Sequence, residues 1–289
     1  MIRLSAFSDE AAESLDGQIE ALLRNGIPYT DIRSVDGKNV LDFTLDEARE
    51  YNERLHRAGI SVYSIGSPIG KVDINCDFDK YLEKAEHIFE LARIFGTKRI
   101  RMFSFFEAYE KEELVVEYLR RLVALADKWD VTLYHENEKM IFGDTVERTE
   151  RLLDSVRGLH SIYDPANFVE VGENMDYAME RLFERTEHFH IKDVIAETSE
   201  LVPAGVGDGK IREIIERIPP QSDMVLTLEP HLAIFAGYAA IDSTEMKNKF
   251  NFESNGEAFD AAIAALKNIL SEANYIEKDG GFIKNESRS

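Results

Sequence analysis

The chain has 289 residues, of which 44% are apolar or aromatic and 31% are charged, and this excludes disordered, collagenous and disulfide-built proteins. Its length suits two modest domains or one large α/β barrel. The 55 Asp and Glu against 34 Lys and Arg give a net charge of −21, which argues against nucleic acid and anionic membranes as partners, and the single Cys76 permits no internal disulfide.

One junction recurs along the chain, in which an amphipathic helix ends at a glycine and an apolar strand follows. The glycines are Gly26, Gly59, Gly96 and Gly158, and glycine adopts the left-handed conformation at a helix end without steric strain. Their spacing of 33, 37 and 62 residues indicates a unit of about 30 to 35 residues, which is one strand with its crossover helix. The 62-residue interval is about twice the length of this unit, and it contains a junction without glycine immediately before VTLYHEN.

Extending this unit along the chain predicts eight strands, each followed by a helix. The strands cover approximately residues 2–7, 28–33, 60–66, 98–103, 131–136, 159–164, 187–192 and 224–229. The helices have apolar residues at helical spacing, and the second opens with Thr44 and Glu47 in the pattern of a capping box. Eight alternating pairs predict an α/β protein with a parallel sheet. A single-domain (β/α)₈ TIM barrel is the simplest closure, and an open doubly wound sheet is the alternative.

No linker or composition shift divides the chain, so we expect one catalytic barrel over residues 1–273. Residues 274–289 are expected to form a polar C-terminal tail, either frayed or serving as an interaction arm. The segment 231–254 is long for a connection between strand and helix, and the sequence leaves open whether it is a lid. The N-terminus lacks the apolar core of a signal peptide and no stretch suits a membrane span, so we expect a soluble cytoplasmic protein.

Polar side chains end four consecutive predicted strands: Glu136, Asp164, His190 and Glu229. A barrel has its active site at the C-terminal ends of its strands, and alternation along each strand directs these side chains into the barrel mouth. Three carboxylates gathered there repel one another unless a positive charge joins them. Three oxygens and one imidazole suit one divalent cation, with Mn²⁺ preferred and Mg²⁺, Co²⁺ or Zn²⁺ as alternatives. The competing interpretation is four unrelated polar residues at strand ends.

The strings around these residues resemble those of a known superfamily. YHEN, YDPAN, HFHIKD and LEPH are similar to motifs of the sugar phosphate isomerase/epimerase superfamily, which has the xylose-isomerase-like barrel and includes AP endonuclease family 2 proteins, and the resemblance covers about residues 1–272. It implies that the four residues bind one divalent metal and that Glu136 and Glu229 are the catalytic acid/base pair. Asn167, Glu138 and Ala196 depart from the family pattern, and Asn167 with the acidic charge argues against the endonuclease-IV-like branch.

Four further residues beside the predicted ligands are candidates for substrate binding: Lys192, His231, Arg33 and Asn167. Lys192 faces inward and is expected either to hold a substrate oxygen or phosphate or to pair with one of the two glutamates. Arg33 has the same two options. His231 either reaches substrate or makes a loop hydrogen bond.

Such a site suits proton abstraction next to a metal-bound carbonyl, through an enediolate. We therefore predict a divalent-metal-dependent isomerase or epimerase of a small sugar or ketose. A lyase of inosose dehydratase type is the first alternative, and an endonuclease-IV-like hydrolase and a non-catalytic sugar-binding protein are the others. Few Lys or Arg are expected at the strand ends, which favours a neutral sugar or polyol ketone, but Lys192, Arg33, Arg101 and Lys210 leave a phosphorylated substrate open. A homodimer or homotetramer is compatible with the sequence.

Overall fold

The computed structural model describes residues 1–234 and 252–285, and its centre is a curled sheet of parallel strands. The eight strands of this wall are β1 Ile2–Ala6, β2 Tyr29–Ile32, β3 Ser61–Ile65, β4 Arg99–Met102, β5 Thr132–Glu136, β6 His160–Tyr163, β7 Thr186–Ile191 and β8 Met224–Leu228. Each lies within one residue of its predicted bounds at either end. The predicted (β/α)₈ architecture is confirmed.

Helices follow the strands and pack around the sheet. In the described ranges they are α1 Leu15–Arg24, α2 Leu45–Arg57, α3 Phe78–Phe95, α4 Glu112–Trp129, α5 Val146–Ser155, α6 Pro165–Glu170, α7 Met175–Leu182, α8 Ile211–Arg217 and α9 Asn255–Glu272. Thr44 and Glu47 form the predicted capping box of α2. Gly96 ends α3 in the left-handed conformation, and Asp130 does the same for α4 with φ of 56°. The junction without glycine thus has the same backbone geometry.

The sheet is closed in part by side chains. Parallel ladders run from β2 through β3 to β8 and on to β1. Within the described residues no ladder joins β1 to β2; instead the Thr30 hydroxyl donates to the Ala6 carbonyl oxygen at 3.1 Å. The Ser8 and Thr30 hydroxyls also lie 2.9 Å apart. The strand count predicts that backbone hydrogen bonds close the whole barrel. Between β1 and β2 hydroxyl contacts stand in their place, because the Thr30 hydroxyl bonds to a carbonyl oxygen that a ladder would use.

The other edge of β1 carries the C-terminal part of the described chain. Residues Tyr275–Lys278 and Gly281–Lys284 form a hairpin that pairs antiparallel with β1 through Ile2 and Phe282. Asp279 and Gly280 make its turn with positive φ, the geometry that an Asp-Gly pair favours. Part of the segment expected as a tail is thus an ordered addition to the sheet.

Two short hairpins extend the C-terminal end of the barrel. Ser34–Val35 pairs with Lys38–Asn39 beyond β2, and Asp193–Ile195 pairs with Glu200–Val202 beyond β7. In residues 1–234 and 252–285, no helix is both long enough and apolar enough to cross a bilayer. Most of the segment considered as a lid, 235–251, lies outside the described residues.

Candidate active site

The four predicted ligand residues meet at the C-terminal mouth of the barrel. Glu136 ends β5, Asp164 caps the N-terminus of α6, His190 lies in β7 and Glu229 follows β8. Each offers one ligand atom, and these atoms all lie within 4.8 Å of one another. All four side chains are buried, with at most 2% exposed. The fold therefore gathers the residues that the sequence separates by almost a hundred positions.

The spacing of these donor atoms fits a divalent cation. His190 Nδ1 lies 2.8 Å from Glu136 Oε1 and 3.1 Å from Glu229 Oε2. Ligands bound at right angles around a small divalent ion lie roughly 3 Å apart, given bonds of about 2.1 Å. Asp164 Oδ2 and Glu229 Oε2 are buried oxygens that make no hydrogen bond in the described structure, although Lys192 Nζ lies 3.0 Å from the first and His190 Nδ1 lies 3.1 Å from the second. Buried charge left in this way is costly unless a cation joins it, so the donor set suits a bound metal.

Asn137 fixes the position of Asp164. Its Oδ1 accepts from the Asp164 backbone N–H and its Nδ2 donates to the Asp164 carbonyl oxygen, each at 2.9 Å. Asn167, expected to bind substrate, donates its side-chain N–H to the Asn137 carbonyl oxygen at 2.8 Å, and its own Oδ1 is buried without a donor. Sequence reasoning missed Asn137, although it is the polar residue directly after the first ligand in YHEN.

Two buried arginines join the carboxylates of the mouth. Arg33 donates to Asp9 at 2.9 Å, to Glu10 at 3.2 Å and to Glu229 at 2.8 Å, so pairing with a glutamate is the option that the structure adopts. Arg101 lies 3.2 Å from Glu136 Oε2 and 3.4 Å from Glu229 Oε1.

Arg33 and Arg101 flank the Phe7 ring, with their guanidinium carbons 4.4 and 4.8 Å from its centre. Asp9 and Glu10 were missed because they follow β1 in a 3₁₀ turn rather than ending the strand.

Lys192 and His231 complete the mouth. Lys192 Nζ lies 3.0 Å from Asp164 Oδ2, so the alternative in which Lys192 pairs with Glu136 or Glu229 is wrong and the aspartate takes that place. The His231 backbone N–H donates to Glu10 at 2.8 Å, which is the expected loop hydrogen bond. Its ring Nε2 lies 3.6 Å from Glu229 Oε1, so the ring reaches the mouth as well.

The charges of the mouth leave an excess of two negative charges when histidines are neutral. Six carboxylates face four cations: Asp9, Glu10, Glu136, Glu138, Asp164 and Glu229 against Arg33, Lys71, Arg101 and Lys192. This corrects the expectation of few cations there, because Arg101 points inward from β4 and Lys71 reaches Glu138 from a loop at 3.0 Å. One divalent cation would balance the excess.

The pKa values of the ligand residues reflect that excess. Burial raises the pKa of Asp164 to about 7, although Lys192 opposes the rise. Burial alone would lower the pKa of His190, but Glu136 and Glu229 outweigh it and raise that pKa to about 10. Burial likewise works against ionisation of Glu136, yet His190 and Arg101 hold its pKa below the usual value. Without a metal, the imidazolium of His190 is the counter-ion of the two glutamates.

A glycine-rich loop anchors the strand end that carries Lys192. The Asp193 carboxylate accepts backbone N–H bonds from Gly205 at 2.8 Å, Gly207 at 3.0 Å and Gly209 at 2.9 Å. A Cβ at position 207 would lie 2.4 Å from Asp193 Oδ1 and 2.6 Å from the Val194 carbonyl oxygen. The glycines thus allow the loop to approach the carboxylate closely.

The fold and the mouth define a (β/α)₈ barrel protein with a buried carboxylate and imidazole site at the C-terminal ends of its strands. The chain belongs to the family described as xylose isomerase-like TIM barrel, whose model matches residues 19–233. No curated protein sequence matches it.

Solved structures with the same fold include three relatives of low sequence identity. The probable 3-DHS dehydratase AsbF from Bacillus anthracis is 19% identical with a TM-score of 0.70, over 92% of this chain and 99% of that chain. The IolI protein, solved with a zinc atom, is 16% identical with a TM-score of 0.71, over 94% and 99%. An L-ribulose 3-epimerase is 14% identical with a TM-score of 0.72, over 94% and 97%. At these identities the likeness shows the fold.

Proposed function

We propose that this protein is a divalent-metal-dependent isomerase or epimerase of a small sugar or ketose. The observation that carries the proposal is the convergence of Glu136, Asp164, His190 and Glu229, whose ligand atoms lie within 4.8 Å of one another in a mouth where carboxylates outnumber lysines and arginines by two. The zinc atom of the IolI structure and the activity in the name of the L-ribulose 3-epimerase support the same assignment. A divalent cation bound there supplies the positive charge that stabilises an oxyanion formed from a carbonyl.

The two glutamates are the proposed acid/base pair. Each has one oxygen toward His190 and the other toward an arginine. Glu136 Oε2 has the weaker restraint, a 3.2 Å contact with Arg101, whereas Glu229 Oε1 accepts from Arg33 at 2.8 Å. Glu136 is therefore better placed to remove a proton next to a carbonyl, and Glu229 to return it or to hold the site in shape. Lys192 and His231 are the proposed substrate-binding side chains.

Metal content tests the proposal directly. Wild-type protein and the Asp164→Ala variant are prepared identically and analysed by elemental mass spectrometry, beside Asp79→Ala, which removes an exposed carboxylate that pairs with Arg121 on the surface. We expect about one Mn, Co, Zn or Mg ion per chain in wild type and in Asp79→Ala, and a loss of about one to two orders of magnitude in affinity in Asp164→Ala. A screen of ketoses for deuterium uptake from heavy water then tests the proton transfer. Wild type without metal, and without deuterium uptake into any ketose when Mn²⁺ or Mg²⁺ is added, would refute the proposal.

A lyase acting on a keto-polyol is the second candidate. AsbF is named as a probable dehydratase, and here Lys192 and the ring of His231 place two proton-bearing groups near the ligand residues. A group of this kind can protonate a departing hydroxyl after the same first proton abstraction. The two functions separate in the ketose screen, because a lyase forms an unsaturated product with ultraviolet absorbance and an epimerase does not.

A further inference from the structure

Lys192 is a buried ammonium whose partner is also a predicted metal ligand. The residue is 5% exposed, and its Nζ lies 3.0 Å from Asp164 Oδ2. That contact lacks the geometry of a hydrogen bond, because Asp164 Oδ2 has no hydrogen-bond partner in the described structure. The two groups therefore interact through the Coulomb attraction between their charges, without a well-aligned hydrogen bond.

Asp164 has one oxygen free for a cation. Its Oδ1 accepts the backbone N–H of Asn167 at 3.1 Å as the cap of α6, which leaves Oδ2. An ammonium and a divalent cation compete for this one oxygen and repel each other. The divalent cation displaces the ammonium, because its Coulomb attraction to the carboxylate is twice as large. When Asp164 binds a metal, Lys192 loses its partner in a buried mouth, where an unpaired charge is costly.

The backbone at Lys192 cannot withdraw to solvent. Its neighbour Asp193 is 1% exposed and accepts the backbone N–H groups of Gly205, Gly207 and Gly209. With the neighbouring residue held in this way, any rearrangement of Lys192 is confined to its side chain. The remaining carboxylate on that side, Glu138, is already paired with Lys71 at 3.0 Å. An oxygen of a bound substrate would give the Lys192 ammonium a new acceptor.

We propose that Lys192 is a catalytic residue that binds the substrate oxygen on which negative charge develops, and that it becomes available when Asp164 binds the divalent cation. This inference rests on the proposed function. In the metal-free protein Lys192 takes the place of the cation; in the loaded protein it stabilises a planar oxyanion such as an enediolate. The expected ligands are therefore small α-hydroxy ketones or aldehydes whose reacting oxygens lie side by side.

Two binding titrations test the inference without any turnover. Mn²⁺ is titrated into the protein and followed by the electron paramagnetic resonance of free Mn²⁺, and oxalate, a planar dianion with adjacent oxygens, is then titrated into the Mn²⁺-loaded protein by calorimetry. The variant is Lys192→Met, which keeps the volume and removes the charge. The control is Lys139→Met, which removes a lysine paired with Glu170 at 3.1 Å. If Lys192→Met does not fold, Lys192→Gln replaces it.

We expect Lys192→Met to bind Mn²⁺ at least about ten-fold more tightly than wild type, because a competing charge is gone, and oxalate about ten-fold or more weakly. Lys139→Met should match wild type in both. Unchanged affinities in Lys192→Met, or weaker Mn²⁺ binding, would overturn the inference while leaving the metal site intact. If wild type itself binds no Mn²⁺, the proposed function fails and this inference fails with it.

Discussion

Asn137 offers the sharpest test of how the mouth is built. In Asn137→Ala the Asp164 backbone N–H and carbonyl lose two hydrogen bonds of 2.9 Å at a position that is completely buried. Each buried group left without a partner costs about 1–3 kcal/mol, so with two such groups we expect the free energy of unfolding to fall by about 2–6 kcal/mol. Because the same bonds hold Asp164 in place, Mn²⁺ affinity should also fall by about ten-fold or more.

Urea unfolding of the metal-free protein measures the first quantity, and Mn²⁺ titration of the folded protein measures the second. Asn167→Ala is the matched control, since its side-chain amide contributes one bond, at 2.8 Å, to the Asn137 carbonyl oxygen, and we expect about half the destabilisation. A loss below about 0.5 kcal/mol in Asn137→Ala, within the range of ordinary surface substitutions, would refute the reasoning. Destabilisation with unchanged Mn²⁺ affinity would show that Asn137 supports the fold but does not position Asp164.

Four further predictions concern the mouth and its loop. Glu229→Gln should abolish turnover of substrate to product while keeping most substrate binding, and retained turnover would remove Glu229 from the acid/base pair. Gly207→Ala should destabilise the fold by about 2–4 kcal/mol, because its Cβ would lie 2.4 Å from Asp193 Oδ1. The control Gly256→Ala in α9 should stabilise the fold by about 0.5–1 kcal/mol, because its Cβ meets no close atom and alanine favours a helix. Urea unfolding measures both changes. His190, with a pKa of about 10, must lose its proton to bind metal, and Asp164, with a pKa of about 7, is about half protonated at pH 7, so calorimetry in two buffers at pH 7 should show about one to two protons released per Mn²⁺. The raised pKa also means that the contribution of His190 to metal-free stability is fully present below pH 6.5 and is lost as pH rises toward 10; if His190→Gln removed no part of the pH dependence over that interval, the charge assignment would be contradicted.

Local patterns in the sequence determined the elements of this barrel. Strand and helix periods depend on residues within a turn or two of each other, so all eight strands follow from the sequence to within one residue. The capping box at Thr44 and Glu47 is likewise a contact between residues three apart. The C-terminal hairpin is missing from the sequence-based prediction, although Asp279-Gly280 is a turn signal, because the polar composition of the segment favours a tail.

Strand order and side-chain parity also predicted which four residues would meet. Since parallel strands all end at one face of the barrel, the last inward-facing residue of each strand reaches the same mouth. Glu136, Asp164, His190 and Glu229 could therefore be grouped without any distance. The catalytic roles given to them remain proposals.

Only the tertiary structure decided how the charges of the mouth are paired. Arg33 comes from the second strand and Glu229 follows the eighth, so their 2.8 Å contact depends on the curl of the whole sheet. From the sequence alone, Lys192 could pair with any of several carboxylates. In the structure it lies beside Asp164, because the backbone N–H groups of the glycine-rich loop hold the neighbouring Asp193 and the side chain of Asn137 holds Asp164. The alternation of residues along a strand predicts which face of the sheet a side chain points to. The partner that it meets depends on packing between strands distant in sequence, and that information is not local.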